Sequence, residues 1–331
     1  MNVFVSSGKK LVSAFVAVLM LVLSVTSYAS MEVSAVNTRK TYKAFDADSG
    51  AALYSYYLDT NPYEQNTREV IGEEDSREVD NTLSGVVKIN VYDGYSTSYG
   101  TGFVVDDHTI ATAAHVVFDY DSDGTLQNTG CSISSILLYD VHGNLAQEIL
   151  IEDIYEVHVP VEYINIATAD HDDLSRHNYD YALITVGVDL TDYANFNFGI
   201  MRDEIINRAG DETKDIFCTG FPPGWYGQKA TGSGDITSVE DRIFVHDIDA
   251  EDGQSGSPIY VITRYDGNTY YTVIGMHVAT IYKYTIDEEG NIVYEYQYND
   301  RGFLDLVPEA NKGVRMTTEL LHFYKNNPNA V

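Results

Sequence analysis

The chain has 331 residues, 44% of them apolar and 12% aromatic, which suffices for a sizeable core, excludes a disordered tail and corresponds to about two domains. Fifty acidic residues against 20 basic ones leave a formal net charge of −30. Such a field repels phosphates and anionic headgroups, which argues against nucleic-acid binding and polybasic membrane docking.

At the N-terminus, Lys9 and Lys10 precede an uncharged run from Leu11 to Val25, and Ser27-Tyr28-Ala29 fits a small-x-small cleavage site. The run is about fifteen residues, short of the ~20 a bilayer requires, so residues 1–29 are expected to be a secretory signal rather than an anchor. The protein is then secreted, with no membrane association after the signal is removed. Residues 30–69 are polar and lack sustained periodicity, which predicts a propeptide. The alternative is an extension of the folded domain in which 51–58 packs. In an oxidising compartment Cys131 and Cys218 could form one disulfide or remain two buried thiols, and their spacing does not decide between these. No Cys/His cluster suggests zinc.

Beyond Asn81 a period of two sets in: Val87, Ile89 and Val91 alternate with Lys88, Asn90 and Tyr92, as in a half-buried strand. Short runs rich in Ile, Val, Thr and Tyr at 101–105, 109–112, 136–139, 180–186, 215–219, 242–247, 258–263 and 270–275 predict further strands. Between the second and third of these runs, Asp119, Asp121 and Asp123 alternate ahead of Gly124 as in a calcium loop. The twelfth position is Gly130 rather than Glu, so a structural calcium and a solvated acidic loop both stay open. Asp266-Gly267-Asn268 and Glu289-Gly290-Asn291 punctuate hairpins, which predicts an antiparallel all-β chain whose sheet closes or is sandwiched. One helix is expected, at the C-terminus. Thr317 can cap it, Glu319 suits its positive end, and Leu320, Phe323 and Tyr324 share a face that should pack on the last barrel.

Three contexts carry chemistry, in the order His, Asp, Ser. Thr112-Ala113-Ala114-His115 uses small residues to hold an imidazole beside a strand end. Tyr179-Asp180-Tyr181-Ala182 sets an acid at the mouth of an apolar strand. In Gly253-Gln254-Ser255-Gly256-Ser257-Pro258, glycines on both sides let successive N–H groups converge, an arrangement suited to an oxyanion hole at Gly253 and Ser255. A serine hydroxyl needs a base to take its proton, and that base needs its other nitrogen fixed by a buried carboxylate. His115 and Asp180 supply the two roles, Ser255 is the expected nucleophile, and Ser257 is the fallback.

These segments, with Gly220-Phe221-Pro222-Pro223-Gly224 and Gly313-Val314-Arg315, resemble the chymotrypsin-fold serine proteases and most closely the bacterial glutamyl endopeptidases. The resemblance runs from about Val70 to Tyr324. It implies two six-stranded antiparallel β-barrels, at 70–190 and 191–331, with the catalytic groups in the cleft between them. It further implies a monomer acting on protein or peptide substrates with no required cofactor.

In that family the histidine of the segment resembling Ile274-Gly275-Met276-His277 contacts an acidic substrate side chain, which makes His277 a candidate pocket wall. A family threonine that binds the same carboxylate is replaced by Ala250. Asp249 stands where trypsin-like relatives carry the aspartate that selects Arg or Lys, although glutamyl relatives can carry it too. Acidic specificity is the preferred expectation, basic specificity the alternative, and a catalytically inactive binding protein the rival from another class. The position preceding Ser255 is Gln254, which cannot form the ion pair that animal digestive relatives make with a freed N-terminus. Glu69-Val70-Ile71-Gly72 resembles the start of mature glutamyl endopeptidases. Cleavage after Arg68 or Glu69 would therefore free an amino group at or beside Val70 for substrate binding.

Overall fold

In a computed structural model of the chain the described residues are 40–45, 52–58, 75–92, 97–118, 132–169, 173–193, 196–200, 216–223, 225, 228–287, 292–298 and 304–325. The expected signal peptide, the cleavage site at Arg68 and Glu69, Val70, the acidic loop with Asp119, Asp121 and Asp123, and Cys131 lie outside them.

The alternating runs become strands. In chain order they are β1 Lys40–Phe45, β2 Ala52–Leu58, β3 Glu78–Val79, β4 Val86–Tyr92, β5 Thr97–Val104, β6 Thr109–Thr112, β7 Ser132–Tyr139, β8 Leu145–Leu150, β9 Ile154–Pro160, β10 Ala182–Val186 and β11 Phe196–Phe198. The second half contributes β12 Ile216–Gly220, β13 Ala230–Gly234, β14 Ile236–Val239, β15 Ile243–His246, β16 Pro258–Tyr265, β17 Asn268–Tyr282, β18 Tyr284–Ile286, β19 Ile292–Tyr294, β20 Tyr296–Tyr298, β21 Leu304–Leu306 and β22 Pro308–Arg315. Asp266 and Gly267 both take positive φ (51° and 76°), the geometry of a type I′ turn, and close the β16–β17 hairpin with Tyr265 opposite Asn268.

Two curled sheets of nine strands each result. The first runs β2-β1-β9-β10-β6-β5-β4-β7-β8; the second runs β14-β15-β22-β17-β16-β12-β13-β3, with β11 on β17. All five residues of β10 are buried, the polar Thr185 included, in a strand flanked by β9 and β6. The sheets exceed the expected six strands by short additions at their margins, and two of these pairings are parallel. Phe196–Phe198 lies parallel to β17, and β1 lies parallel to β9 with Tyr42 opposite Val157. The strand pair β1–β2 falls within the segment read as a propeptide and is built into the first sheet.

The helical content also departs from expectation. Besides α1 (Ala114–Val117), a nine-residue helix α2 (Val161–Ala169) follows β9. Its β-branched residues have low helix propensity, and it is tied down by Tyr163 and Ala167, buried one turn apart. The terminal helix α3 (Thr318–Lys325) forms as expected, with Thr317 Oγ1 accepting from the Leu320 N–H at 3.2 Å. It does not pack on the second sheet alone. Phe323 meets Tyr181 and Tyr324 meets Phe103, both of the first half, and Tyr324 also meets Phe198 of β11 edge-on. The helix therefore joins the main apolar core, which draws on both sheets.

Candidate active site

The β6–β10 ladder sets Ala182 opposite Thr112. The residues just beyond that pair therefore emerge at one end of two adjacent strands, and these are Asp180 and the start of α1. Ala113 and Ala114, both fully buried, leave room for the chain to turn there. The backbone N–H of His115 donates to Asp180 Oδ1 at 3.0 Å, and Nδ1 lies 2.8 Å from Oδ2. Burial alone would raise the Asp180 pKa, but His115 and its two hydrogen bonds outweigh that and hold the carboxyl below the usual carboxylate range. The ionised acid selects the tautomer with the proton on Nδ1, so Nε2 keeps its lone pair; His115 itself is 27% exposed.

Two tight turns flank Ser255. Gln254 N–H donates to Glu251 O at 2.9 Å with Gly253 at φ 86°, as the third position of a type II turn requires. Ser257 N–H donates to Gln254 O, also at 2.9 Å, with Gly256 at φ 86°. The loop is docked on the first sheet through Thr101 of β5, whose N–H donates to Ser255 O at 2.8 Å. The Thr101 hydroxyl donates to Gly253 O at 2.7 Å and accepts from Phe221 N–H at 3.0 Å. A Cβ on Gly256 would strike Thr101 O and lie 2.9 Å from Ala113 N, so the loop backbone abuts the strand end that presents His115. Ser257 is fully buried and Ser255 is not, which removes Ser257 as the fallback nucleophile.

The expected pocket residues lie around the same loop. His277 accepts from Gly256 N–H and donates to Ser257 O through its backbone, and burial pushes its imidazole down to about 3. It is therefore neutral, and it packs edge-on against His246, also buried, with ring centroids 5.7 Å apart. Ala250 is fully buried. A carboxylate at Asp249 that pointed into the pocket would repel an acidic substrate. Instead its Oδ2 accepts from the Ser76 N–H at 2.8 Å and from the Ser76 hydroxyl at 2.5 Å. Cys218 is a buried thiol in no disulfide, and burial pushes its pKa up to about 12.

Sequence reasoning missed His246 and Arg77 as parts of this region, and read Thr101 only as the start of the strand that leads to His115. Arg77, just before β3, is buried against Glu251 and Gln254. Among the described residues no cluster of His, Cys, Asp and Glu could hold a metal ion. Chemically, the arrangement offers an imidazole oriented by a buried carboxylate, next to a serine held between two glycine-dependent turns. The imidazole is suited to act as a general base, and the backbone of the serine loop packs against the strand end that carries it.

The profile of the trypsin-like peptidase domain matches residues 100–265, which include His115, Asp180 and Ser255. A Glu endopeptidase solved in complex with MPD aligns with a TM-score of 0.53 and 18% identity, over 78% of this chain and 98% of that one. The protease Anisep from Arthrobacter nicotinovorans aligns at TM-score 0.46 and 13% identity, over 75% of this chain and 97% of its own. An inactivated protease paralogue of the scabies mite aligns at 0.47 and 12%, over 76% and 99%. No curated protein sequence matches this chain. The profile match, over a fold shared with the Glu endopeptidase, establishes that the chain belongs to the trypsin-like peptidase domain family.

Proposed function

We propose that the protein is a secreted serine endopeptidase that works through an acyl-enzyme. The observation that carries this reading is the His115–Asp180 pair, hydrogen-bonded at 2.8 Å, with the Ser255 loop docked beside it. Ser255 Oγ attacks the scissile carbonyl while His115 Nε2 takes its proton, and the same imidazole then protonates the leaving amine. Asp180 holds the ring and stabilises the imidazolium. The N–H groups of Gly253 and Ser255 stabilise the tetrahedral oxyanion, each worth roughly a hundred- to a thousandfold in rate. Water then hydrolyses the ester by the reverse proton path.

The reading extends to cleavage after Glu or Asp. Two features support it over a preference for Arg or Lys. Asp249 is already bound by Ser76, and the neutral His277 beside the loop can donate to an acidic side chain at no charge penalty. Export by the signal at 1–29 and maturation after Arg68 or Glu69 complete the proposal.

Labelling of processed protein with a fluorophosphonate tests the chemistry: Ser255 is expected to be the modified residue, and absence of labelling in folded, processed protein would instead mark a binding protein. Cleavage profiling with a peptide library tests specificity. Enrichment of Arg or Lys before the cut would refute the acidic preference while leaving the chemistry intact.

A further inference from the structure

Arg77 is a cation with a fully buried side chain in a strongly acidic protein, and two of its partners lie at opposite ends of the turn preceding Ser255. Nη1 donates to Gln254 Oε1 at 2.6 Å and sits 3.1 Å from Glu251 Oε2. The other edge of the guanidinium grips Asp75, with Nε to Oδ1 at 2.8 Å and Nη2 to Oδ2 at 2.7 Å. Gln254 Oε1 also accepts from Glu251 N–H at 3.0 Å, while Gln254 N–H donates to Glu251 O. Both ends of the Glu251–Gln254 turn are thus tied to one planar fork. The stem of Arg77 is fixed as well: Trp225 lies 5.9 Å from the guanidinium, and a Cβ on Gly232 would come within 3.2 Å of Arg77 Cγ.

A turn of this kind has two orientations, type II and type I, related by rotation of its central peptide. The positive φ at Gly253 belongs to the first. That central peptide carries the Gly253 N–H, so the orientation decides where one of the two oxyanion donors points. Gln254 is neutral, so a freed amino terminus finds no carboxylate at that position. The charge beside this turn is Arg77, delivered by residues 75–77 and anchored downstream where β3 pairs with β13 and Asp80 N–H donates to Lys229 O.

We infer that Arg77 is a positioning residue for the reaction. Its guanidinium clamps the Glu251–Gln254 turn so that the Gly253 N–H faces the developing oxyanion, and it does so as a permanent charge within the chain, independent of a new α-amino group. This rests on the serine-protease reading above.

The test uses the full, naturally processed protein with a chromogenic peptide and a fluorophosphonate. Arg77→Ala is expected to lower kcat by about a hundredfold or more, the loss of one oxyanion donor, with KM within threefold. Added guanidinium at tens of millimolar should restore at least tenfold of that, whereas equal NaCl should not. Arg77→Lys keeps charge and approximate length and covers the case in which the alanine variant does not fold. A buried ammonium loses its proton more readily than a guanidinium. The lysine variant is therefore expected to lose kcat between pH 8 and about 10, a range over which the wild type holds its rate.

A folded Arg77→Ala protein with kcat within threefold of wild type would overturn the inference. So would an Arg77→Lys profile that superposes on the wild type. If the wild type itself neither cleaves nor labels, the protease reading fails first, a result distinct from an active wild type with an indifferent Arg77.

Discussion

The two halves of the site are held by different physics. His115 and Asp180 sit at adjoining ends of β6 and β10, where a fixed ladder register and a buried apolar strand place them. The Ser255 loop lies outside any strand and is held by buried polar groups: Thr101, Arg77, Glu251, Gln254 and the backbone of His277. Most of those partners are remote in the chain, Arg77 and Gln254 being 177 residues apart. A ladder with an apolar backing degrades gradually under substitution. A buried polar network fails when one member is lost, because the groups left behind have already given up their water.

The predictions probe that contrast. Ser255→Ala is expected to lower kcat by roughly a millionfold, about 8 kcal/mol in the barrier, and Asp180→Asn by roughly ten-thousandfold, both read by steady-state kinetics on a peptide substrate. Phe103→Ala, on the packed side, removes a ring that meets Phe196, Phe198 and Tyr324. It should cost about 3–5 kcal/mol in chemical denaturation while the folded fraction keeps its kcat.

Gly256→Ala forces a side chain into φ 86° and against Thr101 O, and should destabilise by about 3 kcal/mol or more. Thr101→Val keeps the volume but deletes the bonds to Gly253 O and Phe221 N, and should cost about 1–3 kcal/mol. In contrast to Phe103→Ala, its effect is expected to appear in kcat as well as in stability.

Acid sensitivity is read as a slope rather than as a single loss. Burial pushes His277 down to about 3, His177 down to about 4 and His246 down as well, so below pH 6.5 the unfolded chain binds protons that the folded one refuses. Stability should therefore fall as pH drops below 6.5, by up to about 1.4 kcal/mol per pH unit for each histidine, and Asp180 adds a further loss below the ordinary carboxylate range. Melting curves from pH 7 to 4 measure the slope, and His246→Phe should make it shallower.

The sequence was most legible where a feature is local. Thr109–Thr112 has the bounds its pattern predicts, Asp266-Gly267 forms the expected hairpin turn, and Thr317 caps the last helix. The surroundings of His115, Asp180 and Ser255 are local motifs of small residues, glycines and apolar runs, and they could be read for the same reason. What stayed hidden is non-local. Phe196–Phe198 is too short to announce itself and is a strand only because β17 offers it an edge. The helix Val161–Ala169 runs against its own propensities and relies on Tyr163 packing against Phe118. Arg77 reads as an ordinary surface cation until the turn at Gln254 is folded over it. Asp249 reads as a pocket carboxylate from its position in the sequence, and the bond from Ser76 that changes its meaning spans 173 residues.

The parallel pairing of β1 with β9 bears on maturation. Cross-strand bonds do not depend on chain continuity, so a nick after Arg68 or Glu69 would sever the polymer without by itself detaching the β1–β2 pair, and the excised peptide is expected to co-elute with the enzyme on gel filtration. If the peptide were stripped away, β9 would be left with a bare edge of unmatched amides and carbonyls, a template for sticking to other chains. The leader segment would then serve as a dust cover for the sheet for as long as it stays in place.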